Sequence, residues 1–533
     1  QSLGVDIIWL NPIFLSPNDD NGYDISDYRE IMREFGTMED FDRLLKEIHK
    51  REMRLVLDLV VNHTSDEHPW FEEARKSRHN PYYNYYHWWP AEKGEPPLRL
   101  SYFDEEGNAW TYNKSTDSYY LHYFSRKQPD LNWENPEVRQ EIFDMMRFWF
   151  DKGIDGFRMD SISLIAKDPS FPLIDSKKYP DIFSFYAKEP RLHLYLHEMN
   201  RQVLSKYDCM SVGEGSAVMV DDVAKFVDPA REELNMLYHF DAARIRNTTL
   251  PDNPESGIDY SLIALKKMFT EWDKAVDKGW PSIYLGNHDQ PRMVSRFGSD
   301  KDEFRALSAK MLITFLLTMR GTPYWFAGDE IGMRNIRFDR IEDYNDIDTI
   351  NRYKKAKAEG KDPQAVLDEQ KETGRDNART PFQWDRSPEA GFTAGTPWLK
   401  VNPDYTWINV ADEEKDPTSI LNYFKKVVSF RKENPSLIYG SYHLLDAENP
   451  QSYTFLRKTG ADTYLIMLNF SPKAAISTPG IDMSNAHVLL DNYGDRSHMA
   501  PQKDITLRPF EAIVFQLNHP VYESFIDSLD LLE

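Results

Sequence analysis

The feature that most constrains the fold of this chain is a unit that recurs along it: an amphipathic helix, then a short apolar strand, then a loop with polar residues. In the first full unit, Phe41, Leu45 and Ile48 share one helical face. The apolar run 55–61 follows and is typical of a strand that is buried on both sides. Because strands that alternate with helices pair in parallel, the sequence predicts a parallel α/β protein.

Three of the strands end in acidic residues. A helix with Asn135 as its N-cap and Pro136 at its first position leads into a strand that delivers Asp160. Two later units deliver Glu214 and Asp289 in the same way. A (β/α)₈ barrel builds its active site from the C-terminal ends of its strands, so this pattern favours a barrel. A doubly wound open sheet is the alternative, although no glycine-rich phosphate turn follows any strand.

Two stretches depart from the alternation of strands and helices. Residues 64–133 are rich in aromatic side chains and too long for an ordinary connection, so they predict an inserted domain. Further on, the pattern changes to short alternating strands, which are typical of an antiparallel β domain. We therefore expect a catalytic barrel over 1–63 and 134–441, a β domain over 442–519, and a tail over 520–533.

Charge and cysteine content narrow the function. The chain has 64 Lys and Arg against 87 Asp and Glu, a net charge of −23, which would repel nucleic acids and anionic membrane surfaces. Its single cysteine, Cys209, allows no intrachain disulfide and favours the cytoplasm. No apolar stretch reaches the roughly 18 residues of a membrane span. We expect a small neutral substrate, no nucleic-acid or membrane partner, and a monomer.

Paired carboxyl groups suit the hydrolysis of a glycosidic bond. Retention of configuration needs one nucleophile and one group that protonates the leaving oxygen. Arg158 and Asp160 point to the same side of their strand, so the guanidinium would keep Asp160 ionised. Burial would instead keep Glu214 protonated near neutral pH. Each of these residues taken alone could instead have a structural role. An Arg-x-Asp pair can be a buried ion pair, and an Asp after a strand commonly caps a helix.

Two histidines, His63 and His288, each follow an Asn at the end of a strand. There they could donate hydrogen bonds to sugar hydroxyls, or they could be structural. A metal centre is not indicated, because neither a His-x-x-x-His pair nor a cysteine cluster accompanies either histidine. The sequence therefore predicts no cofactor and no bound metal.

Four segments lie at predicted strand ends. They are Asp58-Leu59-Val60-Val61-Asn62-His63, Gly156-Phe157-Arg158-Met159-Asp160, Val212-Gly213-Glu214 and Asn287-His288-Asp289. Two further segments are Gln128-Pro129-Asp130-Leu131-Asn132-Trp133 and Arg375-Asp376-Asn377-Ala378-Arg379-Thr380-Pro381-Phe382-Gln383-Trp384-Asp385. The first four resemble, in order, the conserved regions of glycoside hydrolase family 13, the α-amylase family. The other two resemble its oligo-1,6-glucosidase and α-glucosidase branch.

The resemblance extends to about residue 518 and implies a (β/α)₈ barrel, a domain B inserted after the third strand, and a C-terminal antiparallel β domain. It implies a retaining α-glucosidase that removes terminal α-linked glucose (α-1,6 and/or α-1,4) from short oligosaccharides. Asp160 would be the nucleophile, Glu214 the general acid/base and Asp289 the third carboxylate. The residues expected around the terminal glucose are Asp20, Tyr23, His63, Arg158, His288 and Arg379. Asp20 and Arg379 would pair to close the pocket, and Phe124 is expected as a wall residue, with core packing as its alternative.

The match departs from the family in places. The family's first barrel strand, its helix and an acidic loop that often binds a metal would precede Gln1, so we expect a barrel without that strand and helix, and no metal. Ser161 follows the expected nucleophile where relatives carry Val, Ala or Thr, which leaves the linkage open. One alternative is a sucrose isomerase. Enzymes of that kind typically carry an Arg-Leu-Asp-Arg motif, which residues 239–247 of this chain match only in part. A non-catalytic transport subunit of the same fold is a further alternative, which the three retained carboxylates oppose.

Overall fold

A computed structural model of the chain describes residues 1–103, 107–179, 181–460, 462–496 and 503–517. The expected tail over 520–533 lies outside these residues. The strands are β1 (Ile7–Leu10), β2 (Phe14–Leu15), β3 (Asp27–Ile31), β4 (Arg54–Val60), β5 (Trp88–Pro90), β6 (Trp110–Asn113), β7 (Ser118–Leu121), β8 (Gly156–Asp160), β9 (Met210–Glu214), β10 (Met236–Tyr238), β11 (Ser282–Ile283), β12 (Thr322–Pro323), β13 (Ser441–Leu445), β14 (Ser452–Thr459), β15 (Asp462–Asn469), β16 (Ala475–Ser477), β17 (His487–Asp491), β18 (Ile505–Leu507) and β19 (Ala512–Leu517).

Helices lie between the successive strands β1, β4, β8, β9, β10, β11 and β12. The helices of the described residues are α1 (Met38–Lys50), α2 (Pro69–Ala74), α3 (Pro136–Lys152), α4 (Phe183–Tyr186), α5 (Arg191–Gln202), α6 (Ala224–Val227), α7 (Asp241–Thr248), α8 (Leu262–Ala275), α9 (Met293–Phe297), α10 (Arg305–Thr318), α11 (Ile347–Ala358), α12 (Pro363–Thr373), α13 (Val410–Glu413), α14 (Ile420–Glu433) and α15 (Ser436–Tyr439). Within the described ranges, none of these helices has the length and apolar character that crossing a membrane requires.

Parallel strands form the centre of the molecule. β1, β4, β8, β9 and β10 pair in that order, and β11 pairs in parallel with β12. Ser282 Oγ donates a 2.7 Å hydrogen bond to the carbonyl oxygen of Leu237, which joins β11 to β10. In a doubly wound sheet the strand order reverses at one point, whereas here it follows the sequence without reversal. The predicted barrel is therefore confirmed, and the open-sheet alternative is wrong.

Local sequence explains how the chain reaches the end of β8. The side chain of Asn135 accepts a hydrogen bond from the backbone N–H of the second helical residue, and Pro136 starts α3. Gly153 ends the helix at a φ of 106°, in the left-handed region that favours glycine. A Cβ on Gly156 would lie 2.2 Å from the carbonyl oxygen of Met210, so only glycine lets β8 approach β9 this closely. These features fix the register that places Asp160 at the strand's end.

A small antiparallel sheet of β5, β7 and β6 lies within 64–133, the segment that we propose as the inserted domain. Its apolar side packs against residues from the connection between β8 and α5, including Leu164, Phe171 and Tyr186. The rings of Tyr123 and Tyr186 stack with their centroids 3.9 Å apart. The long connection that follows β8, the strand that carries Asp160, therefore packs with the inserted sheet in one apolar cluster.

The C-terminal strands form a five-stranded antiparallel sheet in the order β13-β14-β15-β19-β17, and buried cations fasten it to the barrel. Lys266 of α8 is fully buried, and its Nζ donates to three carbonyl oxygens between residues 446 and 452, at 3.0, 2.8 and 3.2 Å. In the opposite direction, Arg457 of β14 donates to the carbonyl oxygen of Thr318 at the end of α10. Each domain therefore supplies a cation to the backbone of the other.

Candidate active site

Arg158 lies at the centre of the carboxylates that end the barrel strands. Its Nη1 donates to Asp58 Oδ1 at 2.8 Å and to Asp160 Oδ1 at 2.7 Å. Its Nη2 binds Glu214 Oε2, and its Nε donates to the hydroxyl of Tyr238 at 2.9 Å. All five side chains are buried. One guanidinium group thus aligns carboxylates from three neighbouring strands, β4, β8 and β9.

Burial sets the protonation of the two carboxyl groups predicted to carry catalysis. It raises the pKa of Asp160 to about 6, although Arg158 acts against this rise. It also raises the pKa of Glu214 to about 7, where Arg158 again opposes burial while the charges of Asp160 and Asp289 add to it. Arg158 thus favours the ionised form of Asp160, as the sequence predicts, while burial sets the direction of the net pKa shift. Between these two values Asp160 is ionised while Glu214 keeps its proton.

Asp289 stays ionised because positive charge surrounds it. Arg375 Nη1 and Arg379 Nη2 lie 3.2 and 3.0 Å from its Oδ1, and His288 Nε2 lies 3.1 Å from its Oδ2. Although burial raises the pKa of Asp289, these neighbours together hold that pKa well below its usual range. Burial lowers the pKa of His288, so the two arginines carry the effect near neutral pH. Asp289 is therefore a permanent hydrogen-bond acceptor.

Asp20 closes one side of the site, but with a different arginine from the one predicted. Its Oδ1 lies 3.6 Å from Arg375 Nη2, and its Oδ2 accepts a 3.0 Å hydrogen bond from Gln128 Nε2. Arg379 instead binds Asp289 Oδ1 at 3.0 Å. The predicted pair of Asp20 and Arg379 is therefore wrong: Arg375 is the arginine that lies beside Asp20, while both arginines contact Asp289.

These carboxylates open into a cavity of about 370 Å³. Its walls include all three predicted catalytic residues and four of the predicted binding residues, Asp20, Tyr23, His63 and Phe124. The other three predicted binding residues are Arg158, His288 and Arg379. In the described part of the chain these three lie behind the wall and bind the catalytic carboxylates.

Tyr23 and His63 are held by hydrogen bonds within the protein. The Tyr23 hydroxyl donates to Asp58 Oδ2 at 2.9 Å and lies 2.7 Å from His288 Nε2. Asn62 Nδ2 lies 3.2 Å from His63 Nδ1, which assigns the proton to Nε2, and Nε2 lies 3.0 Å from the carbonyl oxygen of Tyr23. Burial lowers the pKa of His63 to about 3, so its ring is neutral. His63 thus shapes the wall as an uncharged ring.

Four residues of the site were not singled out from the sequence: Asp58, Tyr238, Arg375 and Asp346. Asp58 is a carboxylate inside an apolar strand, and a buried charge of this kind requires a partner, a signal that could have identified it. Arg375 lies in the same sequence motif as Arg379, and nothing in that motif distinguishes the roles of the two arginines. Asp346, which accepts a 2.7 Å hydrogen bond from Arg375 Nε, carries no local sequence signal.

Replacing Asp346 by Asn is expected to weaken substrate binding more than folding. Its buried carboxylate binds Arg375 and lies 3.8 Å from Arg379, so the amide removes a charge that holds both guanidinium groups. Asn still caps α11, as Asp346 does. We expect the KM for a disaccharide to rise about tenfold or more, with a smaller fall in kcat. The matched control is Asp362→Asn, because Asp362 caps α12 as Asp346 caps α11. Equal KM values in the two variants would contradict the positioning role.

One group of three acidic side chains in the described part of the chain is close enough to hold a metal ion: Asp19, Asp66 and Glu67. Lys127 Nζ lies 2.9 Å from Asp19 Oδ2, 3.4 Å from Asp66 Oδ1 and 3.5 Å from Glu67 Oε1. The ammonium group supplies the positive charge that a cation would bring. The group is therefore an ion-pair cluster centred on a lysine.

Known proteins resemble this chain over nearly its whole length. A family model described as the catalytic domain of α-amylase matches residues 1–440. An oligo-1,6-glucosidase from Parageobacillus thermoglucosidasius is 50% identical over 531 residues, which cover 98% of this chain and 93% of that protein. An oligo-1,6-glucosidase from Bacillus cereus is 47% identical, covering 97% of this chain and 93% of that protein. The structure of an isomaltulose synthase from Protaminobacter rubrum is 41% identical and superimposes with a TM-score of 0.91, covering 97% and 93% of the two chains.

Proposed function

The chain belongs to the α-amylase family and is a glycoside hydrolase of the oligo-1,6-glucosidase and α-glucosidase type, and we propose that Asp160 and Glu214 carry out its reaction by double displacement. The observation that carries this proposal is the shared guanidinium of Arg158, which binds both carboxylates through neighbouring nitrogens. That arrangement favours the separation of about 5 to 5.5 Å found in retaining enzymes over the roughly 6.5–9.5 Å of inverting ones.

The reaction proceeds in two displacements at C1 of the terminal glucose. In the first, a carboxylate oxygen of Asp160 attacks C1 while Glu214 passes its proton to the glycosidic oxygen, so that bond breaks and the shorter sugar leaves. In the second, ionised Glu214 takes a proton from a water molecule, whose oxygen attacks C1 and releases Asp160. Two inversions at C1 give net retention of the α configuration.

The closed side of the cavity suits a terminal glucose. Asp20 Oδ1 is buried and has no hydrogen-bond partner among the described residues, so it is free to accept from a sugar hydroxyl. Asp289 beside it is held ionised and accepts in the same way. Arg375 lies beside both carboxylates on the cavity wall, where it blocks passage of a longer chain. This geometry supports release of single glucose units from a chain end.

Part of the cavity wall is lined by aromatic rings. Tyr102 stacks on Phe183 with centroids 4.2 Å apart and on Phe124 at 5.2 Å, and Phe103 contacts Phe124 at 5.4 Å. Aromatic faces of this kind pack against the apolar faces of sugar rings. Phe124 thus serves both as a wall residue and in packing. We place the leaving sugar of a short oligosaccharide here.

We propose that the preferred bond is α-1,6, because the relatives at 47–50% identity are named oligo-1,6-glucosidases. Ser161, which directly follows Asp160, lines the cavity and adopts a φ of 43°. Initial rates on isomaltose and maltose at equal concentrations, with product anomers followed by NMR, test this proposal. We expect faster turnover of isomaltose and α-glucose as the first product. A faster rate on maltose would reassign the linkage, and β-glucose would rule out retention.

The dependence of kcat/KM on pH is expected to be bell-shaped. Asp160 must be ionised to attack, so activity is lost as the pH falls through its pKa of about 6. Glu214 must be protonated to assist the leaving group, so activity is lost as the pH rises through its pKa of about 7. The maximum is expected between these two pKa values. Because the carboxyl groups of Asp160 and Glu214 interact, the acid and alkaline limbs report apparent pKa values of the pair. A profile flat from pH 5 to 8 on isomaltose would contradict these protonation states.

Sucrose is expected to yield glucose and fructose. The segment Gly215-Ser216-Ala217 lines the leaving-group side of the cavity with small side chains, which gives water access to the glucosyl-enzyme. The resemblance to a solved isomaltulose synthase makes isomerisation the specific alternative. Chromatography of the products separates the two outcomes, and isomaltulose or trehalulose as the main product would overturn hydrolysis.

We propose further that the enzyme acts as a monomer in the cytoplasm. This chain itself supplies the carboxylates proposed for catalysis and the arginines that bind them. The single cysteine, Cys209, is a free thiol, as suits a reducing compartment. Light scattering at micromolar concentration tests the first point, and a mass near that of a dimer would contradict it. Fractionation of the source cells tests the second, and activity outside the cytoplasmic fraction would contradict it.

A further inference from the structure

The turn that follows Glu214 is held in a specific conformation at the edge of the cavity. The N–H of Gly215 donates to the carbonyl oxygen of Tyr238 at 2.8 Å, and the N–H of Val218 donates to the carbonyl oxygen of Gly215 at 3.2 Å, which closes a β-turn. Ala217 has a φ of 61°, in the left-handed region that residues with a side chain rarely adopt. Backbone conformations of this kind persist where the surrounding structure enforces them, commonly at functional sites.

This turn presents Ser216 to the carboxyl group of Glu214. Ser216 Oγ donates a 2.9 Å hydrogen bond to Glu214 Oε1, and the carbonyl oxygen of Ser216 accepts a 2.6 Å hydrogen bond from Ser163 Oγ. The other oxygen, Oε2, is bound by Arg158 and by the hydroxyl of Tyr238. Ser216 lines the cavity, whereas Arg158 is fully buried behind it. Oε1 is therefore the oxygen that faces a bound substrate.

We propose that Ser216 is a positioning residue for the general acid/base: its hydroxyl donates to Oε1 when Glu214 is ionised and directs that oxygen towards the glycosidic bond. The inference rests on the proposed role of Glu214. Glu214 becomes ionised when its proton passes to the leaving oxygen, and it stays ionised until it takes a proton from water. During that interval Ser216 stabilises the carboxylate that must act as the base.

A hydroxyl is needed at this position because the surroundings disfavour charge. Glu214 is 6% exposed, and two other carboxylates, Asp160 and Asp289, lie near it. An apolar side chain in place of Ser216 would leave Oε1 without a hydrogen-bond donor among the described residues. Hydrogen bonds to the ionised form of a carboxyl group lower its pKa, so removing the donor shifts the balance towards the protonated acid. The second displacement, which needs the base, would then slow.

The test compares Ser216→Ala, which removes the hydroxyl, with Ser216→Thr, which keeps it. With phenyl α-glucoside, whose leaving group needs a proton, we expect the alkaline limb of kcat/KM to move up by about 0.5 to 1 pH unit in Ser216→Ala. With p-nitrophenyl α-glucoside, whose departure is easy, we expect kcat to fall by about three- to tenfold. Ser216→Thr should restore both values towards those of the unmodified enzyme. A limb that does not move in Ser216→Ala, or that moves equally in Ser216→Thr, would overturn the proposal.

Glu214→Ala, measured with the same phenyl α-glucoside, separates this inference from the function it rests on. We expect its residual activity to lack the alkaline limb. If the limb persists, another group titrates there, and both the role of Glu214 and that of Ser216 are wrong. If the limb disappears while Ser216→Ala leaves it in place, the role of Glu214 stands and only the inference about Ser216 is wrong. A variant that folds in lower yield would show lower rates at every pH, but the pH at which its alkaline limb falls would not change.

Discussion

Replacing Asp160 by Ala is expected to lower kcat on isomaltose by on the order of 10⁴-fold or more, because the variant lacks the oxygen that bonds to C1. In the structure Arg158 Nη1 holds that carboxylate at 2.7 Å, at the end of β8 and on the wall of the cavity. Asp58 binds the same nitrogen, but its side chain is fully buried and does not reach the cavity. Asp58 is therefore not placed to replace Asp160 at C1.

An external nucleophile identifies the step that this variant has lost. With an activated aryl α-glucoside, azide can occupy the space left by the side chain and attack C1 directly. Only one inversion then occurs, so the expected product is β-glucosyl azide. The matched control is Asp155→Asn, in the residue before β8, where the carboxylate accepts from Leu55 N–H at the opposite end of the strand. We expect this control to keep kcat. Formation of α-glucosyl azide by the Asp160 variant would show that another residue is the nucleophile.

Replacing Glu214 by Ala is expected to give a loss that depends on the leaving group. On isomaltose, whose departing oxygen needs a proton, kcat/KM should fall by about 10²- to 10⁴-fold. On 2,4-dinitrophenyl α-glucoside, whose leaving group departs without a proton, the fall in kcat/KM should be much smaller. The reason is that Glu214, with its pKa raised to about 7, serves in this step only as the acid.

Azide distinguishes this variant from that of the nucleophile. Because Asp160 remains, the glucosyl-enzyme still forms, and azide then attacks it without needing a base. Two inversions occur, so α-glucosyl azide is expected together with a higher kcat. An equal loss on both substrates, or a β-azide product, would contradict the assignment of Glu214 as acid/base. Stereochemistry of the azide product thus assigns the two carboxylates independently of each other.

The sequence predicts the parts of this molecule that local rules govern. Asn135 and Pro136 mark the start of α3, and the apolar run after Gly153 marks β8 because helix caps and buried strands depend on neighbouring residues. The ends of parallel strands meet on one face of a barrel, so the positions of Asp160 and Glu214 follow from strand order alone. Their catalytic roles were inferred from the family resemblance. The substitutions of Asp160 and Glu214 described above test those proposed roles.

Contacts between distant segments could not be predicted in this way. Arg375 and Arg379 are one helical turn apart in the sequence, and only the path of the loop decides which of them reaches Asp20. Asp346 meets Arg375 across 29 residues of chain with no local motif. Ser216 reaches Glu214 because Ala217 adopts a left-handed backbone, which nothing about an alanine indicates. Side-chain networks of this kind depend on tertiary packing.

The paired cations between the barrel and the C-terminal sheet determine how this enzyme can be recombined. Lys266 of the barrel is bound by main-chain oxygens of the β domain, and Arg457 of the β domain is bound by a main-chain oxygen of the barrel. Main-chain oxygens are present whatever side chains surround them, so many substitutions at this junction would leave the hydrogen-bond acceptors in place. A foreign β domain nevertheless has to present main-chain oxygens to Lys266 and an arginine at the position of Arg457, or the buried ammonium loses its acceptors and the carbonyl oxygen of Thr318 loses this donor. The two domains are therefore exchangeable only as a matched pair.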